Sequence, residues 1–241
     1  MREVEDGNTL SMTSVASMRD RAVERSLRSA RAKAVTRSDR FISTAIEILS
    51  ETGRTDFTVQ ELVDRAKASL RSFYQHFSSK DELLLALFEE VIASSVTKWR
   101  PDIDRQDTAL DGLSLLLRKV YGRTGRPAGA GINRALSAFH LQLAETRPSE
   151  YARVLAPLRD LVADVVRRGV GEGVFREDID ADVLSLLVMQ ALVGASLLHA
   201  LGAELTGDRV ETEELLAFCL AGLGGAAPVP AVSRGRNGGA R

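Results

Sequence analysis

The sequence is poor in the residues on which metal sites and disulfide frameworks depend. It has one cysteine, Cys219, and three histidines, which are scattered at positions 76, 140 and 199. None of these histidines has a carboxylate at metal-ligand spacing, and the sequence contains no HExxH, nucleophile-elbow or phosphate-loop motif. These absences predict a protein that is not an enzyme, needs no metal or other cofactor and forms no intramolecular disulfide.

Long apolar runs are scarce as well. We find no run that approaches the roughly 20 apolar residues needed to cross a bilayer. The N-terminal residues MREVEDGNTLSM are acidic and polar, unlike a signal-peptide core. With 44% hydrophobic and 27% charged residues, the composition is that of an ordinary soluble protein. We therefore expect a cytoplasmic protein that does not contact a membrane.

The net charge does not by itself indicate a nucleic-acid partner, because its formal value is −1. Its distribution says more. From Arg19 to Lys80 there are 13 Lys and Arg against 8 Asp and Glu, and from Asp81 onward 18 against 22. A basic N-terminal third on an acidic remainder is typical of a DNA-binding head on a body that does not bind DNA.

The spacing of apolar residues predicts an all-α protein, because they recur every three or four positions and no segment alternates as a strand would. We expect a small N-terminal domain of three helices and a larger C-terminal helical domain. The predicted organisation is a flexible basic extension at 1–36, the helix-turn-helix domain at 37–83, the helical domain at 84–223 and a disordered tail at 224–241.

Capping residues place the helices. Ser38 begins a helix that ends before Gly53, and Thr58 with Glu61 forms a capping box for a helix at 58–66. A second box, Ser79 with Glu82, begins a fourth helix that runs to about Trp99 and is ended by Pro101 and the polar residues after it. The remaining helices are expected near 107–123, 130–146, 149–170, 180–202 and 209–222.

Three residues separate helix 58–66 from a short third helix, Leu70–Phe77. Two short helices joined in this way suit a helix-turn-helix, whose second helix enters the major groove of DNA. Phe73 and Phe77, four residues apart, would face the core. The side chains left on the outside would be Arg71, Ser72, Tyr74, Gln75 and His76.

The chemistry of these side chains suggests a role for each. Arg71 can form a bidentate pair with guanine, and Gln75 can pair with adenine. Hydroxyls at helix N-termini, as at Ser69 and Thr58, suit phosphate oxygens, as do Tyr74, His76 and Lys80. The predicted DNA-binding set is Arg37, Arg40, Thr58, Lys67, Ser69, Leu70, Arg71, Ser72, Tyr74, Gln75, His76 and Lys80.

The same stretch resembles the DNA-binding domain of TetR-family regulators over roughly residues 38–95. The resemblance rests on Thr58-Val-Gln-Glu-Leu-Val-Asp-Arg-Ala, then Ser69, then Phe73-Tyr74-Gln-His76-Phe77, then Ser79-Lys80-Asp-Glu-Leu. One departure is Lys67, which stands where the family usually has glycine. A left-handed conformation there would cost about 1–2 kcal/mol, which a phosphate contact by Lys67 could offset.

The arginine-rich stretch before the first helix has two interpretations of similar weight. It is either an arm that follows the minor groove or the phosphates, or an additional solvated helix. Arg37 and Arg40 are the best candidates for DNA contact because they adjoin the motif.

The C-terminal half is strongly apolar, and residues 182–201 are apolar almost all round, so this helix is either central or at an interface. The TetR resemblance implies that the last two long helices form a four-helix dimer interface. About half of the candidates would instead belong to the core of a single chain. The dimer candidates are Leu184, Leu187, Val188, Ala191, Leu192, Ala195, Leu198, Leu215, Leu216 and Phe218.

An effector pocket is expected among the helices at 107–170, where polar and aromatic residues interrupt apolar faces. Arg134 or His140 could pair with a carboxylate of the ligand, and an apolar pocket favours a lipophilic ligand. The predicted ligand-binding residues are Tyr121, Asn133, Arg134, Phe139, His140 and Gln142.

These features predict a sequence-specific regulator, a homodimeric repressor that a small effector releases from a palindromic operator. Its expected partners are double-stranded operator DNA, a second copy of the chain and the effector. The alternatives are an activating or effector-independent regulator of the same fold, and an architectural protein that binds DNA without sequence preference.

Overall fold

A computed structural model describes residues 38–124, 130–203 and 210–224, and within these residues it contains helices and no strand. This confirms the predicted all-α class. The predicted extension at 1–36 and all of the tail except Gly224 lie outside the described residues. The helices are α1 at 38–52, α2 Val59–Arg65, α3 Leu70–Tyr74, α4 Lys80–Asp104, α5 Ala109–Thr124, α6 Ala130–Thr146, α7 Pro148–Gly171, α8 Ala181–Leu201 and α9 Thr212–Gly222.

The described residues fall into two compact units. The first takes residues 38–45 together with Thr58–Leu83, and the second takes Ile46–Phe57 together with the described residues from Leu84 onward. Helix α1 therefore begins in the first unit and ends in the second.

The first unit has a small aromatic core. Phe41 of α1 packs edge-on against Phe73 of α3, with ring centroids 5.6 Å apart, and against Phe77 at 6.4 Å. Leu62 and Val63 of α2 are buried as well. Phe73 and Phe77, the predicted inward positions, are thus buried, and the unit is held by rings that bury a large apolar area per residue.

The turn between α2 and α3 is fixed by backbone hydrogen bonds. The Lys67 N–H donates to the Asp64 carbonyl at 3.1 Å, and the Ala68 N–H donates to the Val63 carbonyl at 2.8 Å. This pair of bonds is a Schellman motif, which needs a left-handed residue just after the helix. Lys67 occupies that position with φ at 47°.

Replacing this strained lysine by glycine is expected to stabilise the protein. Lys67→Gly removes a left-handed penalty of about 1–2 kcal/mol but adds unfolded-state entropy, so we expect a gain of about 0.5–1 kcal/mol in unfolding free energy. Urea denaturation measures it. Lys67→Ala removes the same charge and keeps the strain, so an equal gain from alanine would contradict this explanation.

The second unit is built around α5, α7, α8 and α9, whose apolar faces form one continuous core. Phe175, in the segment between α7 and α8, lies directly on Gly169, where a Cβ would be 2.0 Å from the phenylalanine ring. The absence of a side chain at Gly169 therefore leaves the space that the Phe175 ring occupies. Arg176 anchors the same segment to the end of α9, because its N–H donates to the Leu223 carbonyl at 2.8 Å.

Helix α4 does not end before Pro101, as predicted, but continues through it to Asp104. Proline removes one helical hydrogen bond, but the last turn is held by other contacts. Ile103 is buried in the core, and the Lys119 ammonium donates to the Asp102 carboxylate at 2.9 Å. The turn that follows is closed by the Gln106 N–H, which donates to the Ile103 carbonyl.

Helix α8 corrects a second expectation, because its 21 residues are long and apolar enough to cross a bilayer by length and composition. The prediction that no run approaches this length is wrong. Five of its side chains are buried, among them Leu184, Val188 and Leu192 in the core of the second unit, although only 28% of its most apolar window is buried within the chain. The helix is a core element with one uncovered face.

Candidate DNA-binding surface and effector cavity

Helix α3 presents the outward face that its sequence predicts. Arg71 and Gln75 are exposed, and Tyr74 is 57% exposed. Leu70, also exposed, offers an apolar contact of the kind that a thymine methyl group accepts. His76 departs from the expected pattern, because it is half-buried and its ring lies 6.3 Å from that of Phe41.

The helix itself is shorter than the predicted Leu70–Phe77. It ends at Tyr74, with Gln75 as its C-terminal cap. Helical hydrogen bonding nevertheless continues, because the Phe77 N–H donates to the Phe73 carbonyl at 2.9 Å. The difference therefore concerns the frayed last turn and leaves the outward side chains in place.

Six of the twelve predicted DNA contacts line one groove of about 330 Å³ in the first unit. The groove carries three cationic side chains, those of Arg40, Lys67 and Arg71. Ser69 caps α3 by accepting a hydrogen bond from the Ser72 N–H at 3.1 Å, so its hydroxyl proton can be donated to a phosphate. The groove is lined by Arg40, Phe41, Lys67, Ala68, Ser69, Arg71, Ser72 and Gln75.

Thr58 and Lys80 lie outside the lining of this groove. The Thr58 hydroxyl is engaged in its own capping box: it accepts from the Glu61 N–H at 3.1 Å and lies 3.0 Å from the Glu61 carboxylate. A phosphate would have to compete with that carboxylate, so the geometry supports a structural role for Thr58. Lys80 begins α4 and is half-buried. Arg37 lies outside the described residues.

The second unit contains an apolar cavity of about 150 Å³. It is formed by α4, α5, α6, α7 and α8, a wider set of helices than the predicted 107–170. None of the described residues in its lining carries a charged group. The lining consists of Phe88, Val91, Ile92, Ser95, Val96, Trp99, Val120, Asn133, Leu136, Ser137, His140, Leu155, Leu158, Val193, Ser196 and Leu197.

Two polar groups in this lining can recognise a ligand. The Ser196 Oγ is buried and has no hydrogen-bond partner, and a buried hydroxyl without a partner is costly. The His140 Nε2 lies 2.9 Å from the Tyr151 hydroxyl, and the two groups hydrogen-bond each other. Burial lowers the pKa of His140 from 6.5 to about 4, so its ring is neutral at pH 7.

This burial should make stability fall in mild acid. The pKa of His140 is about 4 in the folded protein, and without burial, as in the unfolded chain, it is 6.5. The unfolded chain therefore binds more protons than the folded protein below pH 6.5. We expect the unfolding free energy to decrease as pH falls from 6.5 to 4, by about 3 kcal/mol in all. Chemical denaturation across this window measures the loss. His140→Gln should not show this loss of unfolding free energy, whereas His76→Gln should show it in full. Equal losses in both variants would contradict the assignment of the loss to His140.

Of the six predicted ligand-binding residues, only Asn133 and His140 line the cavity. Tyr121 is buried and its hydroxyl donates to the Val210 carbonyl at 2.5 Å. Arg134 donates to the Leu201 carbonyl at 2.9 Å. Phe139 packs against Phe88, and Gln142 is exposed. The proposed carboxylate pairing is not supported, because Arg134 points elsewhere and His140 is neutral.

The uncovered face of α8 and α9 contains large exposed apolar side chains. Phe218 is 69% exposed and Leu187 is 54% exposed, and both border a groove of about 330 Å³ between the two helices. Leu198 is exposed and Ala191 and Ala195 are half-buried. Five dimer candidates belong instead to the core of one chain, namely Leu184, Val188, Leu192, Leu215 and Leu216. Two further exposed apolar residues of α8, Val183 and Leu186, are not among the dimer candidates that the sequence predicts.

Comparison with known proteins agrees with this arrangement. Residues 41–87 match the family model described as bacterial regulatory proteins, tetR family. The transcriptional repressor KstR2 of Mycolicibacterium smegmatis is 22% identical over 194 residues, which are 78% of this chain and 91% of that protein.

Solved structures show the same fold. The regulator FadR of Bacillus subtilis, in complex with stearoyl-CoA, superposes with a TM-score of 0.62 at 18% identity, covering 76% of this chain and 97% of its own. RolR in complex with resorcinol superposes with a TM-score of 0.60 at 18% identity, covering 82% and 92%.

Proposed function

We propose that this chain, a DNA-binding transcriptional regulator of the tetR family of bacterial regulatory proteins, is a homodimeric repressor that a small, lipophilic effector releases from a palindromic operator. The observation that carries the proposal is the groove in which Arg40, Lys67, Ser69 and Arg71 lie together. We propose that it acts in the cytoplasm.

The groove combines the two kinds of contact that specific DNA binding needs. Lys67, Ser69 and Arg40 offer two positive charges and a hydroxyl to backbone phosphates, which position the protein without reading sequence. Arg71 and Gln75 can hydrogen-bond to base edges, and a good bidentate pair discriminates against the wrong base by about 1–3 kcal/mol. Base reading favours a sequence-specific regulator over an architectural DNA binder.

The uncovered face of α8 and α9 supports the homodimer. A soluble chain seldom leaves several large apolar side chains together on one face, and here Leu186, Leu187 and Phe218 are all exposed. A second copy that presents the same face would cover them through a two-fold interface. Two heads related in this way would read two half-sites about 34–36 Å apart.

The cavity supports regulation by a ligand, and α6 supplies a route from it to α1. Asn133, Ser137 and His140 of α6 line the cavity. Near the start of α6, Gly131 packs so closely on the last turn of α1 that a Cβ would be 2.3 Å from the Ser50 carbonyl oxygen. Because there is no slack at this contact, a ligand that shifts α6 also shifts the end of α1.

The experiment that tests operator binding is a shift titration against the DNA that flanks the gene of this protein, with excess competitor DNA. Binding that survives competitor, and a footprint with two half-sites one helical turn apart, are the expected results. If excess competitor DNA removed all binding to the flanking DNA, an architectural protein would be favoured instead. Binding of a single protomer would contradict the homodimer.

A cavity-filling variant tests the effector. Ser196→Leu places a larger side chain in the lining, so a ligand that releases the wild type from the operator should no longer release the variant. Ser149→Leu, on an exposed position of α7, is the matched control and should respond as the wild type does. 1-Hexanol and hexanoyl-pantetheine serve as uncharged probes. Release of all three proteins alike would contradict the cavity as the effector site.

A further inference from the structure

A second depression opens beside the apolar cavity in the same unit. It is lined by Ser94, Ser95, Lys98, Trp99, Arg118, Lys119 and Gly122, and we call it the basic basin. Its volume is about 650 Å³, compared with about 150 Å³ for the cavity. Ser95 and Trp99 line both spaces, so the basin is the immediate neighbour of the cavity and not a distant surface feature.

The two spaces differ in charge. The cavity has an uncharged lining, whereas three cationic side chains line the basin. Lys119 pairs with Asp102 at 2.9 Å, and Arg118 pairs with Glu213. Lys98 is exposed on the same rim. Two carboxylates thus balance three cations, and the basin keeps an excess positive charge.

Size separates the spaces as well. A cavity of about 150 Å³ accommodates a molecule of about the size of benzene, so it can hold a ring or a short alkyl chain and little more. The basin is larger and polar. A ligand that fills both spaces has a small apolar part in the cavity and a larger anionic part among Lys98, Arg118 and Lys119.

We propose that the effector is an anionic amphiphile, with an apolar tail about as large as a benzene ring or a hexyl chain and a head that carries carboxylate or phosphate groups. This inference rests on the proposed function of the cavity as the effector site. It assigns the basin to the head of the ligand, which the neutral His140 and the outward Arg134 do not serve.

Calorimetric titration with three hexanoyl probes tests the proposal. Hexanoyl-CoA carries a phosphate head, hexanoic acid carries a carboxylate, and hexanoyl-pantetheine has the same tail without a charge. We expect at least one anion to bind about tenfold more tightly than the uncharged probe, since each exposed ion pair contributes up to about fivefold. The better anion also identifies which head group the basin accepts, and raising the salt concentration should reduce its advantage.

Lys98→Glu is the variant, because Lys98 is exposed and its replacement should leave the fold intact. It should abolish the preference for the anion and leave binding of hexanoyl-pantetheine unchanged. Arg159→Glu, on an exposed position of α7 away from both spaces, should leave the preference as in the wild type.

The outcomes separate this inference from the function on which it rests. Equal binding of charged and uncharged probes, unaffected by Lys98→Glu, would overturn the anionic head while the cavity remained an effector site. An anion preference that Lys98→Glu and Arg159→Glu reduce equally would overturn the basin as its source. Failure of all three probes to bind would overturn both the inference and the effector site.

Discussion

Arg71→Ala is expected to abolish specific operator binding while leaving the protein folded and dimeric. The side chain is exposed in the DNA-binding groove, so its removal disturbs no packing. A bidentate contact to guanine contributes about 1–3 kcal/mol of discrimination. A dimer loses it twice, so we expect affinity for the operator to fall on the order of 100-fold or more. A shift titration at fixed salt concentration measures the loss.

Arg71→Lys separates base reading from simple charge. Lysine keeps the positive charge but lacks the planar fork that forms two parallel hydrogen bonds. We therefore expect Arg71→Lys to retain binding to competitor DNA and to lose most of the preference for the operator. Arg159→Ala, which removes an exposed arginine on α7 of the other unit, should change neither. Full operator preference in Arg71→Lys would show that Arg71 acts only through phosphate attraction.

The first unit could be predicted closely because local rules determine it. The Thr58–Glu61 capping box and the Ser69 cap fix where α2 and α3 begin, and the four-residue spacing of Phe73 and Phe77 fixes which face is buried. Each of these signals acts within one turn of helix. Even the strain at Lys67 follows from the turn that the motif requires.

The cavity could not be predicted in the same way. Its lining comes from five helices between Phe88 and Leu197, and nothing within one helix distinguishes a residue that faces a cavity from one that faces the core. Tyr121 has the aromatic ring and hydroxyl expected of a ligand-binding residue, but its hydroxyl donates a hydrogen bond to the Val210 carbonyl. Pro101 shows the same limit for helix ends, because the tertiary contact of Ile103 overrides the local signal.

A charge on the uncovered face of α8 and α9 should separate the dimer and, with it, operator binding. In a dimer through this face, Leu187 and Phe218 would become buried. Phe218→Glu then places two carboxylates in an apolar interface and removes apolar contact worth about 1.5–3 kcal/mol for each ring that is fully buried. We expect the dissociation constant of the dimer to rise on the order of 100-fold or more. Sedimentation equilibrium measures it.

Loss of the dimer should also weaken operator binding, because a single DNA-binding unit contacts only one of the two half-sites. Leu187→Glu should reproduce both effects from α8. Leu141→Glu is the matched control, since Leu141 is 48% exposed on α6 and Leu187 is 54% exposed on α8, so it introduces the same charge at similar exposure outside the proposed interface. A Phe218→Glu protein that stays dimeric and binds its operator would show that α8 and α9 are not the interface. Equal disruption by Leu141→Glu would show instead that any new surface charge destabilises the second unit.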